Sequence, residues 1–536
     1  MTSVIFNPLE EFESKYKALH TEKTKQFFDA LVQRSGVDVA QNQETVRQYE
    51  LCKENSAKLR KKRNWLRFFR VLMCITIVLI PLVILKMTPK IRALKEQMDH
   101  ADQRAQELMA EAEKQMLPLN RLFTDRDALG LIEETIPLLS FEAFLSQEQE
   151  ADMRTNYDFC VHENEEQSTV ETLAGHYNEN PFLFETRLIH TMGMATYHGY
   201  KTIHWTETYH DSDGKVRTRS RSETLHATVT KEKPYYSKQV ILNYCAQGGP
   251  DLSFSRDATH LEQKSEKQIE KIVKRGEKKL QKKTERSIRQ DGDFMSMSNT
   301  DFEVLFDALD RTNEVQYRTL FTPLAQTNMV DLLLSKEGYG DDFHFIKARR
   351  TNKIISQHSQ NRALNLASGQ YRSYSYDIIQ SNFVDKNAAF FKAVYFDFAP
   401  LLAIPIYQER PVHSLKPIPD CAQQYSLKEY EVLANAAELR YMAHPDTKTE
   451  AILKSSFVQS HDRVDEMCIT AYSYDIAQRV DFVSVRGGDG YYHSVPVEWD
   501  EYLPLEISNT FYVAADTITR KEPVIARHNG LRIFQS

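Results

Sequence analysis

The sequence predicts an α+β protein in which a long N-terminal helical region carries one transmembrane helix and precedes a mixed α+β globular part with antiparallel β-hairpins. Three observations lead to this fold class. Residues 9–34 are helical in pattern. The segment RFFRVLMCITIVLIPLVILKM (67–87) is almost entirely apolar. From residue 188 onwards, β-rich runs are joined by glycine-containing turns.

Composition and charge limit the class of protein. The 536 residues indicate roughly two to four folded units, and the hydrophobic fraction of 41% is enough to bury cores. A net charge of −7 argues against a general nucleic-acid binder, so any basic surface is local. The six cysteines are scattered without a CxxC spacing, which argues against a disulfide scaffold and against a zinc finger.

Residues 1–67 are predicted to form a helical cytoplasmic tail. One helix covers 9–34 and stops at Gly36, because glycine readily adopts the left-handed conformation that ends helices. A second helix begins near residue 40 and continues without a helix breaker into the apolar segment.

The apolar segment, residues 68–87, is predicted to be a transmembrane helix. Fifteen consecutive residues from Val71 to Leu85 carry no charge. With their neighbours they give about twenty positions, which reach about 30 Å as a helix, the thickness of the hydrocarbon core. Arg70 and Lys86 lie near its two ends, where long side chains can reach the headgroups. The alternative is a helix buried in a soluble core.

Flanking positive charge predicts the orientation of this helix. Seven Lys or Arg occur in the fifteen residues before Phe68, and three occur in the fifteen residues after Met87. The flank with more positive charge stays in the cytoplasm, so the tail is expected inside and the C-terminal part outside. Unpaired cysteines and a strongly basic helix further along the chain conflict with this orientation, because both fit the cytoplasm better.

Residues 88–118 are predicted to form a juxtamembrane helical stalk that ends at Pro118. Its apolar seam, at intervals of three and four residues, comprises Ile91, Leu94, Met98, Ala101, Ala105, Leu108 and Ala112. This heptad spacing is typical of a coiled coil, which would make the protein a homo-oligomer through the stalk. The alternative is a helix that packs this stripe on its own domain. The alanines weaken self-association and keep that alternative open.

The rest of the chain is predicted to form two α+β domains, 119–410 and 420–536. In the first, the clearest hairpin covers 188–230 and turns at an Asp-Gly pair, and a long charged helix covers 261–290. The prolines of ERPVHSLKPIPD mark the boundary between the domains. The second domain begins with a helix and continues as antiparallel strands, with RGGDG (486–490) as a turn.

Three segments carry a resemblance to known proteins: NEVQYRTLFTPLAQTNM (313–329), YFDFAPLLAIPIYQ (395–408) and VPVEWDEYLPL (495–505). They resemble segments of uncharacterised, single-pass membrane-anchored proteins of Gram-positive bacteria. The resemblance implies a bacterial source. It implies no activity and no catalytic residues, because none is known for those proteins.

Several short motifs suggest chemistry but lack the context that this chemistry needs. YGDD (339–342) resembles the metal-binding turn of RNA-directed polymerases, yet the residues before it are typical of a helix end rather than a strand. The histidines between 190 and 210 do not have the spacing of a zinc protease motif. CVHENEE (160–166) places one cysteine and one histidine on a strand face, without an identifiable third partner. We therefore assign no catalytic, cofactor-binding or metal-binding residues.

Two basic features are candidates for contact with an anionic surface. Alternation places three arginines on one face of the second hairpin strand, and the charged helix holds eleven Lys or Arg against five Glu. Each contact near a charged membrane is worth about 1 kcal/mol, so several together would matter. The candidate residues are Arg217, Arg219, Arg221, Lys274, Lys278, Lys282 and Arg286. The alternative is a solvated surface with ion pairs along the helix.

Together these features predict a single-pass protein of the bacterial cell membrane that acts as a structural or interaction module and binds anionic lipid or wall polymer. No cofactor and no nucleic acid are expected. The alternative function is a membrane-tethered, hydrolase-like enzyme whose active site is assembled from residues distant in sequence. A third interpretation is a sensor that transmits a signal through the helix that crosses the bilayer.

Overall fold

The structure of the protein is a computed structural model. It describes residues 4–74, 87–160, 164–210, 212–290, 292, 294–308, 310–411, 425–461, 463–515, 523–528 and 530–535. The chain divides into two compact units. The first unit is Met1–Leu139 with Asn365–Phe398, and the second is Ser140–Leu364 with Ala399–Ser536.

The secondary structure confirms the α+β class, and the sheets are antiparallel. Within the described ranges, the α-helices are α1 (Pro8–Glu11), α2 (Lys17–Ser35), α3 (Val39–Cys74), α4 (Thr88–Asn120), α5 (Asp127–Thr135), α6 (Gln147–Tyr157), α7 (Glu266–Arg289), α8 (Thr300–Phe306), α9 (Glu314–Leu320), α10 (Pro323–Leu334), α11 (Tyr376–Leu402), α12 (Leu427–Asn435) and α13 (Leu439–Met442). The strands are β1 (Leu139–Phe141), β2 (Gln167–Tyr177), β3 (Asn180–His210), β4 (Val216–Cys245), β5 (Ser253–Arg256), β6 (Phe343–Ala348), β7 (Thr351–Ser356), β8 (Ile452–His461), β9 (Val464–Arg486), β10 (Tyr492–Ala515), β11 (Val524–His528) and β12 (Leu531–Gln535).

In the first unit, the N-terminal helices share a core with residues that follow the apolar segment. Phe28 of α2 is fully buried, and its ring centroid lies 5.5 Å from that of Phe383 in α11. Met116 of α4 belongs to the same cluster. The hydroxyl of Tyr395 in α11 donates to the carbonyl oxygen of Pro8 at 2.8 Å. Residues before and after the apolar segment therefore fold together.

Helices α3 and α4 pack side by side in opposite directions. Asn42, near the start of α3, donates to Gln115 Oε1, near the end of α4, at 3.2 Å. Further along α3, Ser56 donates to Asp102, which lies nearer the start of α4. Contacts that advance along α3 move backwards along α4, so the two helices form an antiparallel helical hairpin.

This pairing does not fit the predicted span. Residues 75–86, the centre of the predicted transmembrane helix 68–87, lie outside the described residues. Among the residues that the structure describes, no helix combines the length and the apolar character that a membrane crossing requires. A single crossing at this segment would hold α3 and α4 on opposite faces of a hydrocarbon core about 30 Å thick, where they could not touch. The described helices therefore give no support to a separation of an inner tail from an outer C-terminal part, and the orientation stays a prediction.

The predicted stalk is a helix, and α4 extends two residues beyond Pro118. Its seam residues are buried, except for the half-buried Ala101. Helix α3 of the same chain packs against α4, which is the alternative that a thin, alanine-containing stripe favours. A homo-oligomer through the same seam would have to displace α3.

The second unit contains a seven-stranded sheet in the order β1-β2-β3-β4-β7-β6-β5 and a five-stranded sheet in the order β11-β12-β10-β9-β8. Strands β3 and β4 are 31 and 30 residues long. The predicted hairpin 188–230 is therefore part of a longer hairpin. Pro234 does not interrupt β4, because β4 pairs there with β3 alone and its other edge needs no hydrogen bond.

The outer half of this hairpin packs face to face on the hairpin of β9 and β10. The apolar cluster between them contains Ile203, Leu225, Ala227, Val495 and Val497. Gly199 of β3 comes so close that a Cβ atom there would lie 2.1 Å from the carbonyl oxygen of Pro496. In the RGGDG turn, Gly488 donates its backbone N–H to Glu223 at 2.6 Å. Each hairpin thus gives the other the apolar cover that an isolated two-stranded ribbon lacks.

The division into units differs from the predicted domains 119–410 and 420–536. Helix α12 lies against β2 and β8. The buried carboxylate of Glu429 in α12 accepts the backbone N–H of Leu145 at 2.8 Å and the hydroxyl of Thr172 at 2.7 Å. A buried carboxylate needs hydrogen-bond donors, and those of Glu429 come from the other predicted domain. Residues from both predicted domains therefore belong to one unit.

Candidate functional site

The first candidate site is the hairpin end, which comprises the last described turns of α3 and the first turns of α4. Trp65, Phe68 and Phe69 are 59%, 66% and 37% exposed. The rings of Trp65 and Phe69 lie 4.5 Å apart. The basic residues of the hairpin end are Arg60, Lys61, Lys62, Arg63, Arg67, Arg70, Lys90, Arg92 and Lys95.

Exposed aromatic and basic side chains in one place are suited to the boundary between water and a lipid bilayer. Aromatic rings are stable at the level of the headgroups. Lys and Arg near an anionic surface gain about 1 kcal/mol each. Three exposed aromatic residues within five positions are unusual for a surface that faces only water. The hairpin end therefore has the chemistry of a membrane contact.

The arginines predicted on the hairpin do share one exposed face of β4. They are Arg217, Arg219 and Arg221. The Nε atoms of Arg219 and Arg221 donate to Glu207 at 2.7 and 3.0 Å. The guanidinium of Arg219 also lies 5.3 Å from the ring centroid of Tyr209. One carboxylate therefore binds two of the three guanidinium groups.

The predicted basic helix is confirmed as α7, within 261–290. Its exposed stripe, with one residue every four positions, consists of Lys274, Lys278, Lys282 and Arg286. Another side of the helix packs closely on α8, where a Cβ atom at Gly276 would lie 2.3 Å from Val304. Lys274 pairs with Glu270 at 3.9 Å, as a solvated face would also show. Contact of this stripe or of the arginine face with an anionic surface stays a prediction.

The YGDD motif (339–342) lies in the loop between α10 and β6, and both of its carboxylates have protein partners. Asp341 is buried and bonds to the buried side chain of Arg256. Asp342 Oδ2 lies 2.6 Å from Nδ1 of His358. Among the described residues, no group of three or more His, Cys, Asp or Glu is arranged to hold a metal ion. The two aspartates of the motif therefore stabilise the loop through their contacts with Arg256 and His358.

The histidines of β3 follow the expected alternation. The exposed face carries His198, His204 and His210. Nδ1 of His198 lies 3.0 Å from Nε2 of His226 on the neighbouring strand, so these two rings hydrogen-bond to each other. Cys160 is exposed, and His162, its expected partner, lies outside the described residues.

A second candidate site, which no sequence pattern indicated, is a polar pocket in the second unit. It has a volume of about 370 Å³ and opens where β2, β3, β8 and β9 meet α6 and α12. Its charged lining residues are Arg154, Arg187, Lys428, Lys454, Glu150, Glu165 and Glu431. Such a concentration of charge in one concave site is typical of binding sites for polar ligands.

Two lining residues, Arg187 and Lys428, share one ion-pair partner behind the pocket, the fully buried Glu185. Its carboxylate bonds to Arg187 Nε at 2.9 Å and to Lys428 Nζ at 2.6 Å. Burial opposes ionisation of Glu185, but Lys428 and Arg187 outweigh it and lower its pKa to about 2. Burial, followed by the charge of Arg187, lowers the pKa of the neighbouring Lys353. The wall therefore holds an ionised carboxylate among several cations.

The remaining charged residues of the pocket form pairs nearer the solvent. Lys454 Nζ lies 2.7 Å from Glu431 Oε1, and the other oxygen of Glu431 accepts the backbone N–H of Thr169 at 2.9 Å. Arg154 lies 2.8 Å from Glu150. The side chains of Lys454 and Arg154 are 25% and 45% exposed, so both can reach a ligand that enters from solution.

Sequence patterns miss this pocket because its residues come from distant segments. Glu185 and Arg187 lie on β3, whereas Lys428 and Glu431 lie on α12, near the other end of the chain. The one local signal is the i, i+2 spacing of Glu185 and Arg187 within an apolar run, which places both on one face of a strand.

The chain matches no known protein family, no curated protein and no solved structure.

Proposed function

We propose that the protein is a membrane-anchored interaction module that is held by its hairpin end, with both folded units on one side of the bilayer. One observation carries this proposal: Phe28 and Met116, which flank the apolar segment in sequence, belong to the same buried cluster as Phe383. Val71 to Leu85 are apolar enough to enter lipid. Because the residues before and after this segment pack in one core, the anchor does not separate the chain into an inner and an outer part.

The side that we propose is the cytoplasmic one. When both flanks lie on the same side, their positive charges act together, and the positive-inside rule keeps both in the cytoplasm. Four of the cysteines form no disulfide: Cys52, Cys160, Cys245 and Cys468. Free thiols fit a reducing compartment. Anionic phospholipid, rather than wall polymer, is then the partner proposed for the hairpin end and for the basic residues of β4 and α7.

Thiol labelling in intact cells tests this topology. Cys52 precedes the apolar segment and Cys160 follows it, so variants that retain only one of them report on each side. With a membrane-impermeant maleimide, we expect both variants to stay unlabelled in intact cells and both to react after permeabilisation. Labelling of Cys160 alone in intact cells would contradict the proposal and favour the single-pass arrangement.

Fractionation of the same cells tests the anchor itself. We expect the chain in the membrane fraction after a high-salt wash, because burial of apolar surface does not depend on screening as ion pairs do. Recovery of the chain in the soluble fraction after gentle lysis would overturn the anchor whatever the labelling shows.

A further inference from the structure

We propose that His198 and His226 form a binding site for a divalent transition-metal ion such as Zn²⁺. The two residues lie on β3 and β4, on the exposed face of the hairpin, opposite the face that carries Ile203 and Leu225. The site is independent of the membrane anchor, because both histidines belong to the second unit and the hairpin end belongs to the first. Three features support it: the distance between the two rings, the chemistry of imidazole, and the exposed, paired strands that hold the rings.

The distance between the two rings is that of neighbouring ligands on one metal ion. Nδ1 of His198 lies 3.0 Å from Nε2 of His226. In proteins, Zn²⁺ lies about 2.0–2.1 Å from a histidine nitrogen, so two such nitrogens are about 2.9 Å apart at a right angle and about 3.3 Å apart at the tetrahedral angle. The observed distance lies between these values. A metal ion can therefore take the place of the shared hydrogen if the two rings rotate, and the strands do not have to move.

Both imidazole rings can supply a lone pair to the ion. In the present hydrogen bond, one ring donates its N–H and the other ring accepts it. When a metal ion replaces this hydrogen, the donor ring carries its proton on its other nitrogen, so both ligands stay neutral. Imidazole binds Zn²⁺, Ni²⁺ and Cu²⁺, whereas Mg²⁺ and Ca²⁺ prefer oxygen ligands. The histidine pair therefore favours transition metals.

The surrounding strands hold the two rings in place and leave them accessible. Both histidines are exposed, so an ion can reach them from solution. The ring of His226 lies 4.9 Å from the ring of Tyr200, its partner across the strands. Hydroxyl groups bridge the strands on either side, in the pairs Thr196–Thr230 (3.3 Å) and Thr202–Thr224 (3.0 Å). A site on paired strands is held more precisely than a site on a loop.

The bound ion would link two strands that have few other partners. Two histidines fill only part of a coordination sphere, and water can occupy the remaining positions. Among the described strands, only β3 and β4 pair with each other at this point. A ligand that binds only the folded form stabilises that form. A metal ion held by one residue of each strand should therefore make local opening of the hairpin less frequent.

Calorimetric titration of the full-length protein in detergent with ZnCl₂ tests the site. We expect the wild type to bind Zn²⁺ and to give no heat of binding with Mg²⁺. His198→Thr and His226→Thr should each weaken Zn²⁺ binding about 100-fold, because the remaining imidazole loses the gain that a second, intramolecular ligand provides. Threonine suits a strand, so both variants should fold. The matched control is His204→Thr, which removes an exposed histidine of the same face that pairs with Ser222 and should leave the affinity unchanged.

Hydrogen exchange of backbone amides shows where the ion binds. We expect Zn²⁺ to slow exchange around residues 196–200 and 226–230 in the wild type and in His204→Thr, but not in His198→Thr or His226→Thr. This pattern, together with the loss of affinity, would support the site. Unchanged affinity in both pair variants, or an equal loss in His204→Thr, would show that the ion binds elsewhere and would overturn the proposal. A wild type that does not bind Zn²⁺ would overturn it as well.

Discussion

Replacement of Phe28 by alanine tests the shared core on which the same-side arrangement depends. Phe28 is fully buried, and its ring centroid lies 5.5 Å from Phe383 and 5.8 Å from Tyr376, both of α11. Loss of a buried phenyl ring costs about 3–5 kcal/mol. This is a large share of the roughly 5–15 kcal/mol by which a folded domain is stable. Since about 1.4 kcal/mol is a factor of ten, open forms of the first unit should become about 100-fold more frequent or more.

Hydrogen exchange of backbone amides measures these open forms helix by helix. We expect exchange in α2 and α11 to accelerate by the same factor, because both helices lose the same core. Phe6→Ala removes the same ring at a position that is 63% exposed and should change stability by less than about 0.5 kcal/mol. Acceleration in α2 alone, with α11 protected as in the wild type, would refute the shared core and the topology built on it.

Two further predictions concern one residue in each unit. Burial lowers the pKa of His20 from 6.5 to about 4, so the unfolded chain binds the proton first as the pH falls. The free energy of unfolding, measured with urea, should therefore fall by up to about 3 kcal/mol between pH 6.5 and pH 4. His20→Gln should make this free energy less dependent on pH. The same pH dependence in the variant and the wild type would show that another group causes it. Gly199→Ala should lower the unfolding temperature of the second unit, because its Cβ would lie 2.1 Å from the carbonyl oxygen of Pro496. An unchanged unfolding temperature in Gly199→Ala would contradict the hairpin packing.

Elements that depend on near neighbours in sequence could be predicted. Gly36 ends α2 with a φ of 65°, as its place after a helical pattern indicates. Asn299 caps α8 by accepting the backbone N–H of Phe302 at 3.1 Å, as an asparagine directly before a helix commonly does. Alternation along β4 placed its three arginines on one face. In each case the physical cause acts over a few residues, so the sequence contains it.

Contacts between distant segments could not be predicted in the same way. The apolar seam of α4 could pack either on a second chain or on α3, because both arrangements require the same spacing. The sequence of α4 therefore does not show which helix is its partner. Asn42 is buried because its amide bonds to Gln115 Oε1 and to the carbonyl oxygen of Tyr374, at 3.2 and 3.0 Å. In sequence it is one polar residue among many in α3. The polar pocket has the same origin, since Arg187 and Lys428 come together only when the fold brings them to one carboxylate.

The orientation expected from sequence rests on a premise that the proposed same-side arrangement does not share. A comparison of seven flanking positive charges with three decides orientation only if the two flanks lie on opposite faces of the membrane. In the proposed same-side arrangement, both sets of charges meet the same leaflet and their attractions add. At about 1 kcal/mol each before screening, they rival the burial of Trp65, Phe68 and Phe69, which is worth about 1.5–3 kcal/mol per side chain. Salt separates the two contributions, because it screens the charges and leaves the apolar contribution in place. The hairpin end should therefore bind anionic vesicles in a salt-dependent way while a salt-resistant part of the binding remains.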